Sequence, residues 1–470
     1  MFQKEALKNL DFAGREVALF GLGLENLMIA PYLFKKGAHL RLVDHQSACQ
    51  LKEKLKKLSG VNYKGFFGKD WQKGLLGVEI VFVAPGVPNN LAIFRRLQKR
   101  ALVLEPIELL LSKTKATTIA VTGTKGKSTT ASLIYHLFKT AGKKVYLAGN
   151  IGSFEFERLI HLNRGAFIVL ELSSFQLEKI TTSPRVSVVL PVTADHLAPL
   201  SKTNPNFHNS LIAYRKAKRR ILAFQGPGDL AVLSADSPVV RRWAKRARGE
   251  VIYFSASKIN LRPAVYVKNG FFVIRLTKNI ERLASISIFK LFGEHNLANA
   301  AAAIAVAKRL GVKEKEIRRG LKSFAALPHR LQKVAVEGKR IYIDDSLATN
   351  PSATIAAIRA FARQPTCLIL GGSSKGADFS QLAQEIQQSQ VKIITLIGSE
   401  AERLFEILKE ARISANLYKA GTLEKALAYC RQNLEEGVVL LSPACASLDQ
   451  FASAYDRGEV FQRLVRDGKA

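Results

Sequence analysis

At 470 residues the chain exceeds what one core comfortably holds, so two to three domains are expected. Hydrophobic residues make up 47%, with no run of about eighteen apolar residues and no apolar leader after Met1, which argues against membrane insertion and a signal peptide. Lys and Arg outnumber Asp and Glu by 71 to 38, a net charge of +33, but they are scattered and not interleaved with stacking aromatics, so a solvated basic surface is expected rather than a nucleic-acid module.

Four cysteines (Cys49, Cys367, Cys430, Cys445) include no C-x-x-C pair. They predict a reducing cytoplasm, with neither a disulfide framework nor a zinc site. Short apolar runs that end in Gly, Asp or Ser, each followed by helical periodicity, predict an α/β fold throughout.

The first block opens with Val17–Phe20, then Gly21-Leu22-Gly23-Leu24-Glu25-Asn26. Leu40–Val43 ends at Asp44, and Ile80–Val83 leads into Ala84-Pro85-Gly86. Strand, glycine turn, helix, strand and a terminal acid about twenty residues on are similar to a dinucleotide-binding unit. Asn26 replaces the third glycine, so Gly21 and Gly23 fit a structural turn as well as a binding loop.

The middle block begins with the β-branched run Thr117-Thr118-Ile119 and continues Gly123-Thr124-Lys125-Gly126-Lys127-Ser128-Thr129-Thr130 before a helix-compatible run. Strand, glycine turn and helix are the context of a phosphate loop. The glycines let backbone N–H groups close on phosphate oxygens, Lys127 adds a point charge, and Ser128 a hydroxyl suited to Mg²⁺. Val121 stands where the longer form of this loop has a glycine, so the loop is a shortened variant for a nucleoside triphosphate. Phe167–Leu170 then ends at Glu171, and Val186–Leu190 leads to Thr193-Ala194-Asp195-His196. Polar groups after parallel strands sit at the carboxyl edge of a sheet, where ligands bind. Glu171 and His196, each more often structural when alone, become candidate ligands of a cation at the phosphates because they share this edge with Lys127 and Ser128. The last block has strands ending at Asp344-Asp345, Gly371-Gly372, Gly398 and Ser442-Pro443. Boundaries fall near residues 113 and 326.

The set Gly123–Thr129, Gly149-Asn150-Ile151-Gly152, Glu171–Glu178, Gly293-x-His295-Asn296-x-x-Asn299, Leu327-Pro328-His329-Arg330 and Asp345-Ser346-x-Ala348-Thr349-Asn350 resembles the Mur ligases of peptidoglycan synthesis. Two further motifs, Gly371-Gly372-x-x-Lys375-Gly376-Ala377-Asp378-Phe379 and Leu441–Phe451, resemble the members that act on D-glutamate. The resemblance covers nearly the whole chain. It implies three domains: a Rossmann-like UDP-substrate domain (1–112), a central P-loop ATPase-type parallel-sheet domain (113–326) and a Rossmann-like amino-acid domain (327–470). The implied reaction is amide ligation through an acyl phosphate, with ATP and Mg²⁺, on UDP-N-acetylmuramoyl-L-alanine and D-glutamate. A cytoplasmic monomer with no membrane insertion and no nucleic-acid partner is expected.

Residue by residue, the resemblance implies that Gly123, Thr124, Lys125, Gly126, Lys127, Ser128 and Thr129 bind the phosphates of ATP. Asn296 and Asn299 would lie near adenine, and Arg330 and Asp345 near the ribose and phosphates. Ser128, Glu171, His196 and a carbamylated Lys218 would hold magnesium, with Lys216 the fallback for the carbamate. Lys127, His196 and Lys218 would be catalytic. Asn150 would face the reacting end of the UDP-substrate, whose nucleotide would meet Gly21, Gly23 and Asp44. Thr349, Lys375 and Ser447 would hold the incoming glutamate, although Ser447 also suits a helix N-cap.

Four departures stand out: Glu25-Asn26 in the first glycine motif, Ala198-Pro199 and a longer segment after His196, Leu347 where a lysine is common, and Ala454 where an aromatic is common. Leu347 and Ala454 leave L-glutamate or another acid as an alternative acceptor. A non-catalytic paralogue that binds nucleotide or nucleic acid is the remaining alternative.

Overall fold

The computed structural model describes residues 7, 9–88, 91–97, 99–197, 206–374 and 376–468. Three sheets carry the chain. The first, in the order β3-β2-β1-β4-β5, is built from β1 (Glu16–Phe20), β2 (His39–Asp44), β3 (Tyr63–Phe67), β4 (Ile80–Val83) and β5 (Leu102–Leu104). All its pairings are parallel. Strand order reverses between β1 and β4, the switch point of a doubly wound sheet, and helix α1 (Leu24–Lys35) starts there. Helix α2 (Pro106–Lys113) ends this part of the chain.

The second sheet has nine strands in the order β14-β13-β12-β11-β10-β9-β6-β8-β7. These are β6 (Thr117–Thr122), β7 (Val145–Gly149), β8 (Phe167–Glu171), β9 (Val186–Val189), β10 (Leu230–Ser234), β11 (Glu250–Ser255), β12 (Ala264–Lys268), β13 (Phe271–Arg275) and β14 (Glu281–Ser285). The central strands are parallel and buried on both faces, which explains their unbroken apolar runs, as in Val186-Ser187-Val188-Val189. β13 pairs antiparallel with both β12 and β14, so this edge departs from the purely parallel sheet expected. Helices α3 (Lys127–Thr140) and α4 (Leu211–Arg219) flank the site described below. The first two sheets share one apolar cluster, in which the Tyr32 and Phe156 rings lie 5.2 Å apart.

Helix α5 (Glu294–Arg309) precedes the third sheet. That sheet, in the order β15-β16-β20-β17-β18-β19, comprises β15 (Gln332–Glu337), β16 (Arg340–Asp344), β17 (Thr366–Gly371), β18 (Val391–Ile397), β19 (Asn416–Gly421) and β20 (Gly437–Ala444). Only the β15–β16 pairing is antiparallel. Helices α6 (Leu423–Asn433) and α7 (Ala454–Arg466) complete it.

The chain forms two compact units, one running to Ile286 and including Ala298–Leu321, the other comprising Ser287–Leu297 and Lys322 onward. The division falls inside α5, so Asn296 belongs to the second unit and Asn299 to the first. Among the described residues, no helix is long and apolar enough to cross a membrane.

One expectation is corrected. Cys367 on β17 and Cys430 on α6 are joined as a disulfide, 63 residues apart, inside the apolar layer between the third sheet and its helices. Two thiols at unrelated sequence positions meet only because helix and strand pack face to face, so spacing carried no sign of the pair.

Candidate active site

In the first unit the phosphate loop joins β6 to α3. Gly126, the residue before α3, is left-handed at φ 84°, and a Cβ there would lie 2.6 Å from Asn299 Oδ1. Gly123, at φ 152°, would place a Cβ 2.5 Å from that of Leu190. Both positions therefore require glycine. The loop is pinned from one side: Thr124 N donates to Pro191 O (3.0 Å), and Thr124 Oγ1 accepts from Thr193 N (3.0 Å) and lies 3.1 Å from the Tyr214 hydroxyl. Lys127 Nζ curls back on the loop, donating to Thr124 O at 2.9 Å and Gly123 O at 3.3 Å. Ser128 and Thr129 occupy the first turn of α3, which carries no acidic residue, so its N-terminal N–H groups present positive potential to an anion. Lys125 pairs with Asp195 at 3.6 Å.

Strand register brings the remaining groups to this loop. Val121 on β6 pairs with Glu171 on β8, and Thr122 with Val189 on β9, so the three strand ends lie side by side. His196, left-handed at φ 54°, follows β9. Glu171 Oε2 and His196 Nδ1 are buried without a hydrogen-bond partner. Buried orphans of this kind call for an explanation: the carboxylate oxygen beside a phosphate loop suits Mg²⁺, which takes oxygen ligands and draws much of its shell from water and substrate phosphates, while the imidazole nitrogen is the softer donor of the two. Among the described residues, no group of three or more His, Cys, Asp or Glu forms an all-protein cage.

Lys218 is the most unusual group here. Its side chain is 2% exposed, on the same face of α4 as Tyr214, whose ring its Nζ approaches to 4.7 Å. Burial, and then the charge of Lys127, hold its amine well below the ordinary lysine range, against the upward pull of Asp195 and Glu171. The nearby cation that matters is thus Lys127 and not the arginines of α4. Lys216 is exposed, which separates the two lysines that the sequence left as alternatives.

His208 escaped the sequence reading. Its Nε2 lies 2.9 Å from Ser174 Oγ, its ring stacks on Phe175 at 4.8 Å, and its backbone N donates to His196 O at 2.8 Å. Burial, with His196 and Lys218 nearby, pushes it down to about 4, so it stays neutral near pH 7. Burial, then Lys218, Lys127 and Lys125, lower His196 despite Asp195. Nothing in the sequence around His208 marks it, because its role comes from packing against the short helix Ser174–Leu177. Ala198-Pro199 and the residues that follow as far as 205 lie outside the described residues, so the longer segment is described only from 206 onward.

At the end of the first sheet, Asp44 accepts from Leu22 N (2.8 Å) and Gln46 N (2.9 Å), and Gly21 N donates to Val43 O (2.8 Å), so strand end and glycine turn form one shelf, with Gly23 opening α1. Asn26 fills the place of the missing glycine: its Nδ2 donates to the carbonyls of Phe20, Gly21 and Phe82. Asn150, exposed after β7, donates its backbone N–H to Glu171 O at 3.1 Å.

In the second unit, Asp344 ends β16, and Asp345 follows it into a loop. Asp345 is buried, accepting from Leu331 N at 3.2 Å and from Ser442 Oγ at 2.8 Å. Burial pushes its carboxyl up to about 7, although those bonds and Arg330 pull the other way. Arg330 is exposed, and Thr349 lies four residues past Asp345 on the same loop, half-buried. Ser447 is buried and caps no helix; its carbonyl accepts from Gln450 N and Phe451 N in a turn. Ser373 bridges to Ala446, which ties this turn to the glycine loop that leads to Lys375. Lys375 itself lies outside the described residues. Asn296 donates to Phe292 O at 2.7 Å. Arg457 on α7 also went unnoticed: wholly buried, it donates to Ser346 Oγ and to the carbonyls of Ser346, Cys445 and Ala446, cross-linking the Asp345 loop to the Ser447 turn.

Comparison with known proteins agrees with this arrangement. The Mur ligase middle domain matches residues 121–307, and the Mur ligase glutamate ligase domain matches 329–445. The chain is 36% identical to the UDP-N-acetylmuramoylalanine–D-glutamate ligase of Pelotomaculum thermopropionicum, covering 97% of this chain and 98% of that one. It is 35% identical to the enzyme of the same name from Thermoanaerobacter pseudethanolicus, covering 97% and 99%. Among solved structures it shares the fold of UDP-N-acetylmuramate–alanine ligase from Thermotoga maritima (TM-score 0.56, 18% identity, 97% and 100% covered). A pseudomurein peptide ligase type C from Methanothermus fervidus gives a TM-score of 0.53 at 19% identity, with 91% and 96% covered. With a phosphate loop and an orphaned carboxylate and imidazole after adjoining strands, a buried lysine on α4, and near-complete coverage at these identities, the chain belongs to the Mur ligase family.

Proposed function

We propose that this chain joins D-glutamate to UDP-N-acetylmuramoyl-L-alanine while ATP is converted to ADP and phosphate, in the cytoplasm. The supporting likeness is to curated relatives of that name across almost their full length. The structural observation that carries the reading is the buried Lys218, which feels the charges of Lys127 and Glu171 and acts on His196, beside the orphaned atoms Glu171 Oε2 and His196 Nδ1.

A carboxylate does not release oxide to an amine, so it must first be activated. Its oxygen attacks the γ-phosphorus of ATP, ADP leaves, and an acyl phosphate forms. The glutamate amine then attacks the acyl carbon, phosphate leaves, and the amine gives up its proton. Phosphoryl transfer gains chiefly from positioning and from fixed positive charge. Lys127, the loop N–H groups and the start of α3 supply both. Bound Mg²⁺, held by Ser128, Glu171, His196 and Lys218, would offset repulsion between the ATP phosphates and the acceptor carboxylate.

Lys218 enters that set as a carboxylate. A neutral amine adds CO₂ to give a carbamate, and burial beside Lys127 favours the neutral amine. Incubation with ¹³C-bicarbonate should give one carbamate resonance in the parent protein and none in Lys218→Ala; a resonance that survives the substitution removes this role.

Residues 1–112 are assigned to the UDP-substrate, 113–326 to ATP and 327–470 to glutamate. Gly21, Gly23 and Asp44 would meet the nucleotide of the substrate, and Asn150 its reacting end. Asn296, Asn299, Arg330 and Asp345 would surround the rest of ATP, with Thr349, Lys375 and Ser447 on glutamate. The deciding experiment measures phosphate release from Mg-ATP and UDP-N-acetylmuramoyl-L-alanine with D-glutamate, with L-glutamate and with neither. Release with D-glutamate alone is expected. Release with L-glutamate moves the assignment to the Leu347 and Ala454 region, and no release with any acceptor overturns the ligase reading.

A further inference from the structure

Apart from the buried Lys218, the basic clusters around Arg215–Arg220 and Arg241–Arg248 are assigned no part in the ligase chemistry. They meet in space. One cavity of about 530 Å³ is walled by Arg215, Arg219, Arg242, Lys245 and Arg246 around Trp243. A second, of about 410 Å³, shares Arg219, Lys245 and Arg246 with it and adds Lys216, Arg220 and Arg248. Neither cavity has an acidic residue in its lining.

Among the described residues, none of these eight cations belongs to an ion pair, although arginines elsewhere do, as in Arg185–Asp229 and Arg309–Glu250. Arg215 Nε is also buried with no hydrogen-bond partner. Crowding like charges around a hollow raises the energy of the empty state, and an anion in that hollow relieves it. We propose that these joined cavities are a second anion site, distinct from the phosphate loop, that binds clustered phosphate groups.

Three observations narrow the ligand. The walls are concave and guanidinium-rich, which suits several phosphates held by paired N–H donors better than one dispersed charge. Trp243, 6% exposed, forms part of the wall and offers no free face for a base to stack upon, which argues against single-stranded nucleic acid. Lys218 turns to the buried face of α4 with Tyr214 and Ala217, while Arg215, Lys216 and Arg219 take the outer one. The phosphates come either from a free polyphosphate anion or from phospholipid headgroups. Ile212, 78% exposed and one turn before Lys216, is the apolar foothold the second source would use.

The test uses Trp243 as its own reporter. Trp71→Phe removes the only other tryptophan, and inorganic tripolyphosphate is titrated without Mg²⁺ while emission is followed. A saturable change is expected, weakened about tenfold or more by Arg219→Glu/Arg246→Glu and kept in Lys127→Ala. Loss in Lys127→Ala with retention in the charge-reversed protein places the anion at the phosphate loop and overturns the proposal. Should charge reversal prevent folding, Arg219→Gln/Arg246→Gln is expected to weaken binding by a smaller factor in the same direction. Co-sedimentation with phosphatidylglycerol but not phosphatidylcholine vesicles, lost in the same variants, identifies the headgroup as the source. Tripolyphosphate binding without vesicle binding identifies a free anion. Absence of both, or tighter capture of a single-stranded oligonucleotide at equal phosphate concentration, overturns the assignment.

Discussion

Glu25 lies in the first turn of α1 and is buried, its Oε1 accepting from Gln176 Nε2 at 2.5 Å while Oε2 has no partner. Burial raises its carboxyl to about 7, more than the Gln176 bond lowers it. A carboxyl raised on folding contributes stability that is full below its unfolded value of 4.5 and is lost as pH climbs through the folded value of about 7. The shift corresponds to about 3 kcal/mol, withdrawn between those two values and absent above them. Glu25→Gln keeps a neutral group and avoids that loss. It is expected to melt close to the parent at pH 5 and clearly above it at pH 8; equal losses in both proteins across that range would rule out Glu25 as the source. At this scale the sequence marked a position without showing its meaning. Glu25-Asn26 reads as a damaged glycine motif, yet Asn26 rebuilds the turn with three hydrogen bonds to carbonyls. Lys216 and Lys218 are equivalent in sequence, and only burial tells them apart.

Elements were more legible than their contents, because runs such as Ile80–Val83 and Val186–Val189 follow from burial on both faces, and ligand groups at parallel strand ends follow from topology. Joints that arise from packing were not, whether the Cys367–Cys430 pair, the antiparallel edge at β12–β14, or Arg457. The phosphate loop yields a prediction about its joint with α3. Alanine at 126 would hold a left-handed conformation at a cost of roughly 1–2 kcal/mol and press on Asn299 Oδ1. Gly126→Ala is expected to raise the KM for ATP about tenfold and to lower the melting temperature by a few degrees; an unchanged KM would mean the loop adapts freely. Arg457 makes the complementary case. Its removal strands the carbonyls of Ser346 and Cys445 and leaves that of Ala446 with Ser373 N alone, so Arg457→Ala should lower the stability of the second unit by about 3 kcal/mol in urea unfolding. Its side chain is wholly buried, and that burial lowers the guanidinium to about 10. Arg457→Lys should recover only part of the loss, since a single ammonium cannot span the same acceptors.

Over the whole molecule, a division that falls inside α5 could not be read from composition, because that helix is alanine-rich and continuous. The net charge of +33 was legible from the first, and its consequence is kinetic. ATP, the UDP-linked precursor and glutamate are all anions at neutral pH, and a positive field raises their encounter rate before any contact forms. The field reaches ~30 Å at 0.01 M salt and ~8 Å at 0.15 M, so its screening should act on capture and leave the bound complex nearly untouched. Over that range kcat/KM for ATP is expected to fall about fivefold while kcat stays within about twofold. Initial rates in a potassium chloride series, with viscosity matched, provide the check. A flat kcat/KM would show that the surface charge does not steer substrates. A parallel fall in kcat would place the salt effect inside the bound complex, on Lys127 and its neighbours.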